Sequence, residues 1–229
     1  MKIGGVQKLS LVDYPGHTAI ALFTIGCNMR CGYCHNPELV LPERYANTIP
    51  EEDIFYFLEK RVGKVEGVVI SGGEPTMHAD LPDFIRRVKQ LGYLVKLDTN
   101  GTHPVMLQKL LDEGLLSYVA MDIKASMARY EEVVARPIIV EDIQKSVALI
   151  KNSGIDHEFR TTLVKSQVSY DDLEEIGQLV HGSPRFALQR FRPGRTLNPQ
   201  FAHEQTYSDA ELQTIKERME RHVASCVIH

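Results

Sequence analysis

The sequence predicts an α/β fold: a partial (β/α)6 barrel of TIM-like type, with parallel strands and one open side. Three observations lead there. Apolar, β-branched runs alternate with amphipathic stretches about six times along 229 residues, an order that favours parallel strands and right-handed crossovers. A closed barrel takes eight such units and typically about 250 residues, so about six units leave the ring open. Each run also delivers its unusual polar residues at the same end, where folds of this kind place their sites. A doubly wound open sheet is the runner-up and shares that last property.

The elements follow in order. "HTAIALFTIG" (17–26) reads as a first strand, buried on both faces. "IPEEDIFYFLEKRV" (49–62) has acidic residues early and Phe55, Phe57 and Leu58 after them, so it reads as a helix. "GVVISGG" (67–73) is β-branched and ends in glycine, which marks a strand. "ADLPDFIRRVKQLG" (79–92) is a helix stopped by Gly92. "YLVKLDTNG" (93–101) is a strand running into a turn. "PVMLQKLLDEG" (104–114) is a helix with Pro at its start and Gly at its end. Strand "LSYVAMDIKA" (116–125), helix "VEDIQKSVALIKNSG" (140–154), strand "DHEFRTTLV" (156–164), capped helix "SYDDLEEIGQLVHG" (169–182) and strand "RFALQRF" (185–191) complete the alternation. A polar stretch (192–207) and a last helix, "SDAELQTIKERMERHVAS" (208–225), close the chain.

The expected organisation is one domain, 1–229, with a core over about 17–191 and a C-terminal loop and helix over 192–229. Hydrophobic residues make up 43% and charged residues 24%, as in ordinary globular proteins. A net charge of −4 gives no basic excess for nucleic acid or an anionic membrane. The N-terminus lacks an apolar signal-peptide core, and no apolar run approaches the ~18 residues of a membrane helix. The expected location is the cytoplasm, and no second domain is expected that would hold another cluster or cap the site.

The chemistry concentrates at the strand ends. The first strand runs into "TIGCNMRCGYCHNPE", with Cys27, Cys31 and Cys34 inside eight residues; the one other cysteine is Cys226. In a reducing cytosol, clustered thiols are more often metal-binding or catalytic than disulfide-bonded. C-x3-C-x2-C can place three thiolates on three corners of a [4Fe–4S] cube, leaving the fourth iron without a protein thiolate. Zinc held by the three cysteines and His35 is the alternative by ligand type, although adjacent Cys34 and His35 would strain to ligate one tetrahedral ion. Inert buried cysteines are a third reading, against which "CNMRCGYC" is too polar for a core strand. The other ends carry "SGGEP" (71–75), "DTNG" (98–101), "MDIK" (121–124), "EFRTT" (158–162) and "LQRFRP" (188–193). Asp98 and Asp122 both end strands, and two carboxylates in one pocket need a cation or a proton between them.

C-x3-C-x-aromatic-C after a first strand, with GGEP after the second, resembles the radical S-adenosylmethionine (SAM) superfamily, and the resemblance covers nearly the whole chain. "GGVQKLSLVDYPG…FTIGCNMRCGYCHNPEL" is most similar to the activating enzymes of glycyl radical enzymes, in the branch that activates anaerobic ribonucleoside-triphosphate reductase. Pyruvate formate-lyase activating enzyme is a more distant relative.

The resemblance implies that SAM binds the open iron and that one electron cleaves it to methionine and a 5′-deoxyadenosyl radical. It implies a protein substrate, a glycyl radical enzyme, and a one-electron donor such as flavodoxin or ferredoxin. Tyr33, Cys34 and His35 would lie against the adenine. Gly72 and Gly73 would let backbone approach SAM, and Glu74 would accept from its ammonium. Asp98, Thr99 and Asp122 would hold a monovalent cation, and Lys124 would pair with the SAM carboxylate. Asn100 belongs to the same turn, and Arg160 and Thr162 would point at ribose or methionine. The sixth strand shows no histidine equivalent, and Gln189 or Arg190 stands in its place. Cys226 is expected to play no cluster role. The competing functions are a small-molecule radical SAM enzyme of the 7-carboxy-7-deazaguanine synthase kind and a non-catalytic zinc-binding adaptor.

Overall fold

A computed structural model describes residues 1–45 and 47–229. One sheet runs through the chain in sequential order, β1 to β8. The strands are β1 (Ile3–Ser10), β2 (Ala19–Thr24), β3 (Gly67–Gly72), β4 (Leu94–Thr99), β5 (Tyr118–Asp122), β6 (Asp156–Leu163), β7 (Phe186–Arg190) and β8 (Cys226–Ile228). β1 pairs antiparallel with β2, and every later neighbour is parallel. Among the described residues no pairing joins β8 to β1, so the sheet stays open. The predicted six parallel strands are β2 to β7, flanked by one further strand at each edge.

The helices are α1 (Pro37–Val40), α2 (Glu51–Glu59), α3 (Leu81–Gln90), α4 (Pro104–Asp112), α5 (Tyr130–Val134), α6 (Val140–Asn152), α7 (Tyr170–Leu179) and α8 (Asp209–Met219). α7 and α8 each begin with a capping box, Ser169 with Asp172 and Ser208 with Glu211, which satisfies end amides that would otherwise lack partners. The expected last helix to 225 ends at Met219. The chain then turns into β8, so the C-terminal segment adds a strand to the sheet.

The two faces of the strands differ sharply. Ile20, Leu22, Val68, Ile70, Val95, Leu97, Val119 and Met121 pack with the helices in the main core. The alternate positions Ala19, Ala21, Val69 and Ala120 form a small second cluster with Tyr14 and Tyr118, inside the curved sheet. Small side chains suit that side because curvature narrows it. Higher on the same inner face the residues become polar. Because the strands are parallel, those polar ends all point one way. Cys226 begins β8 opposite Phe186 at the start of β7, the far end of the sheet from the cysteine loop. Burial pushes its thiol up to about 12.

Candidate active site

The cysteine loop leaves the C-terminal end of β2 and is tied down on several sides. Arg30 Nη1 donates to the carbonyls of Cys27 and Met29, both at 2.7 Å, and its amide donates to Val134 O at 2.8 Å. Leu197 N donates to Cys34 O at 2.8 Å and Asn198 N to Gly32 O at 3.0 Å. The stretch after β7 therefore folds back over the loop, and the Phe201 ring packs 6.2 Å from the Tyr33 ring. Asn28 donates to Thr102 Oγ1 at 2.8 Å and accepts from Asn100 Nδ2 at 2.9 Å, linking the loop to the end of β4. Neither Asn28 nor the 197–201 stretch stood out in the sequence, because polar loop residues carry no periodic signal.

The loop opens on a cavity of about 240 Å³. Cys27, Cys31 and Cys34 line it, with Tyr33, His35, Gly72, Gly73, Asp98, Thr99, Asn100, Asp122, Lys124, Arg160 and Thr162. Five strand ends thus supply one site, and of the residues singled out above Glu74, Gln189 and Arg190 are missing from its wall. Glu74 lies behind that wall. It is fully buried, and its carboxylate accepts from Thr76 N at 3.1 Å, Thr99 Oγ1 at 2.7 Å, Asn100 N at 2.6 Å and the Thr76 hydroxyl. It clamps the ends of β3 and β4 together from behind the cavity wall. Burial raises its pKa, against the pull of those hydrogen bonds.

The glycines have a sharper reason than ligand approach. Gly73 N donates to Thr24 O at 2.9 Å and Glu74 N to Gly26 O at 2.7 Å. A Cβ on Gly73 would lie 2.0 Å from Gly26 O, and one on Gly72 (φ +110°) 2.3 Å from Thr24 N. Side chains there would prise the β2 and β3 loops apart.

The floor is a run of ion pairs. Arg160 Nε donates to Asp122 Oδ1 at 2.8 Å and its Nη1 to Asp98 Oδ2 at 3.4 Å. Lys124 Nζ donates to Asp122 Oδ2 at 3.1 Å, and Lys96 Nζ to Asp98 Oδ1 at 2.5 Å. Burial opposes ionisation of Asp122, but Arg160 and Lys124 outweigh it and hold its carboxyl far below the usual range. Asp98 is likewise lowered against its burial, by Arg160 and Lys96. The Arg160 guanidinium lies between the two aspartates, so each carboxylate already has a protein cation. Thr99 donates its hydroxyl to Glu74 at 2.7 Å.

The remaining residues fall into place around this floor. Thr162 donates to Gln189 Oε1 at 3.2 Å, so Gln189 shares the inner face, whereas Arg190 pairs outward with Asp209. His35 stacks on Phe191 at 5.4 Å and bonds Arg192 O at 2.8 Å. Tyr33 is buried, with its hydroxyl beside the Cys31 thiol.

This donor set fits an iron–sulfur cube. Three thiols line one cavity. Burial pushes Cys27 up to about 12 and raises Cys31 and Cys34, while nearby Lys124 draws all three down. A cube spreads its thiolates over separate irons.

The model of the radical SAM superfamily matches residues 22–180, and the chain belongs to that superfamily. It is an enzyme of that kind, and membership implies a [4Fe–4S] cluster and SAM as cofactors. A protein of Methanocaldococcus jannaschii, provisionally named a glycyl-radical enzyme activating enzyme, is 32% identical over 99% of this chain and 95% of its own length. The pyruvate formate-lyase-activating enzyme of Listeria monocytogenes is 33% identical over 48% of this chain and 47% of its own. Among solved structures, SuiB of Streptococcus suis bound to S-adenosylmethionine superposes with a TM-score of 0.66 at 16% identity, over 90% of this chain. The chain spans 48% of SuiB's length, and that likeness speaks for the fold alone.

Proposed function

We propose that the chain is a radical SAM activase that generates a glycyl radical on a partner enzyme, with anaerobic ribonucleotide reductase the leading candidate. The observation that carries the site assignment is the meeting of three thiols with an ion-paired, net positive floor in one cavity. The near full-length likeness to the Methanocaldococcus relative supports the activase reading. When bound, the cluster supplies one low-potential electron to the SAM sulfonium, releasing methionine and a 5′-deoxyadenosyl radical.

The chain's own residues bind and orient. Cys27, Cys31 and Cys34 would hold the cluster and, being three, would leave one iron without a protein thiolate. Lys124 and Arg160 offer charge-assisted hydrogen bonds to the SAM carboxylate. The backbone of residues 33–35 and the Gly72–Gly73 loop bound the adenosine side, with Asn100, Thr162 and Gln189 as polar contacts. Glycine suits the substrate position because its Cα carries no side chain and flanking amides stabilise a radical there. The partner is a protein, the electron donor a flavodoxin or ferredoxin, and the setting the cytoplasm, where thiols stay reduced. Among the described residues no helix is long and apolar enough to cross a membrane.

The test mixes anaerobically reconstituted protein, reductant and SAM with candidate glycyl radical enzymes. The expected result is a glycyl doublet by electron paramagnetic resonance in the cognate partner. Formation of 5′-deoxyadenosine driven by a small molecule, with no doublet in any partner, would overturn the activase reading.

A further inference from the structure

The floor of the cavity forms one chain of alternating charge. Lys96, Asp98, Arg160, Asp122 and Lys124 follow one another across β4, β6 and β5, each contact lying between 2.5 and 3.4 Å. Three cations and two anions leave 3 − 2, a net charge of +1.

Lys96 is the member that no ligand contact explains. It is 1% exposed and absent from the cavity wall. It lies beneath, on the inner face of β4, with Nζ 5.8 Å from the Tyr118 ring centroid. Burying an ammonium is costly unless it is paired, and its partner is Asp98 Oδ1. The other oxygen, Oδ2, takes the Ser71 hydroxyl at 2.9 Å and Arg160. Asp122 is saturated by Arg160 and Lys124. A free cation entering between these carboxylates would have to displace a guanidinium or an ammonium, and it would meet three like charges at close range.

We propose that Lys96 is a positioning residue, a fixed counter-cation for Asp98 that lets the site bind SAM with no bound monovalent ion. Lys96 neutralises Asp98 from below. Arg160 is then shared between the two aspartates and the ligand, and is not drawn wholly onto Asp98. The surplus positive charge is left for the SAM carboxylate. The inference rests on the SAM reading of the preceding subsection.

The experiment is equilibrium dialysis of labelled SAM against the reconstituted holoprotein. The buffers contain potassium, sodium or tetramethylammonium as sole monovalent cation, the last too large to enter. For the wild type the account expects dissociation constants within about twofold across all three. Lys96→Met, which keeps the length and removes the charge, should bind about tenfold more weakly in tetramethylammonium, about 1.4 kcal/mol. Potassium or sodium should recover part of that loss, and Lys96→Arg should stay indifferent to the cation. A purely structural role for Lys96 would not produce a cation-selective rescue. Wild-type binding that weakens about tenfold without potassium or sodium overturns the proposal alone, whether or not the variants fold. So does a Lys96→Met protein that matches the wild type in every buffer. No SAM binding by the wild type in any buffer sinks the SAM reading and this proposal with it.

Discussion

The two faces of the same strands obey different rules. On β4, Val95 and Leu97 face the helices and are wholly buried in apolar contacts. Lys96 and Asp98, one residue out of step, face inward and pair with each other. On β6, Phe159 and Leu163 pack in the core while Arg160 and Thr162 line the cavity. The outer face holds the fold by burial, which tolerates swaps of similar volume. The inner face holds a charge pattern in which each member needs its partner. Changes outside should therefore cost stability and spare chemistry, and changes inside should cost chemistry on top of any cost in stability.

The largest effect expected is at the loop. Cys27→Ala, Cys31→Ala or Cys34→Ala should each abolish SAM cleavage, measured as 5′-deoxyadenosine by chromatography. Cys226→Ala, buried at the opposite end of the sheet, should keep it. Full cleavage by any of the three loop variants would dissolve the distinction. On the outer face, Leu97→Ala or Phe159→Ala should cost about 2–5 kcal/mol by leaving a cavity. Thermal unfolding would show this as a lowered Tm, with SAM affinity of the folded protein retained. Loss of affinity without loss of stability would contradict the account.

Glu74 sharpens the comparison because it is polar and yet structural. Glu74→Gln puts an amide donor among the donors of Thr76, Thr99 and Asn100, and about 1–3 kcal/mol of destabilisation is expected. Denaturant unfolding checks it. A stable variant that fails only to bind SAM would restore the direct ligand role.

The smallest effect lies outside the site. Burial opposes ionisation of Asp172, but Ser126, Ser169 and Arg129 outweigh it and hold its carboxyl below the usual range. A carboxyl lowered in the folded state stabilises above the ordinary carboxylate range and loses that contribution as pH falls through the lowered value. The stability gap between wild type and Asp172→Asn should therefore be flat above about pH 5 and shrink below about pH 4. A gap that is independent of pH would refute this.

Much of the architecture was legible because period and spacing are sequence properties. The six apolar runs fell on β2 to β7, and unusual residues at the ends of β2 to β6 met in one cavity. β1 was missed because "IGGVQKLS" is glycine-rich and half exposed as an antiparallel edge. β8 was missed because three residues leave no pattern. Lys96 was missed because a lysine between apolar strand residues reads as a solvent-facing position, whereas here that face is the inside of the curved sheet. The structural part of Glu74 was not legible because its neighbours in sequence are cavity residues, while its hydrogen bonds run to the Thr76 and β4 end groups beside it.

The central claim is that three thiols on the inner rim leave one iron of a cluster open to SAM. Anaerobic reconstitution, iron and sulfide analysis, and electron paramagnetic resonance of the reduced protein before and after SAM test it directly. The account predicts about four irons per chain and a cluster signal that changes when SAM is added. Stoichiometric zinc without iron, or a cluster signal indifferent to SAM, would contradict it.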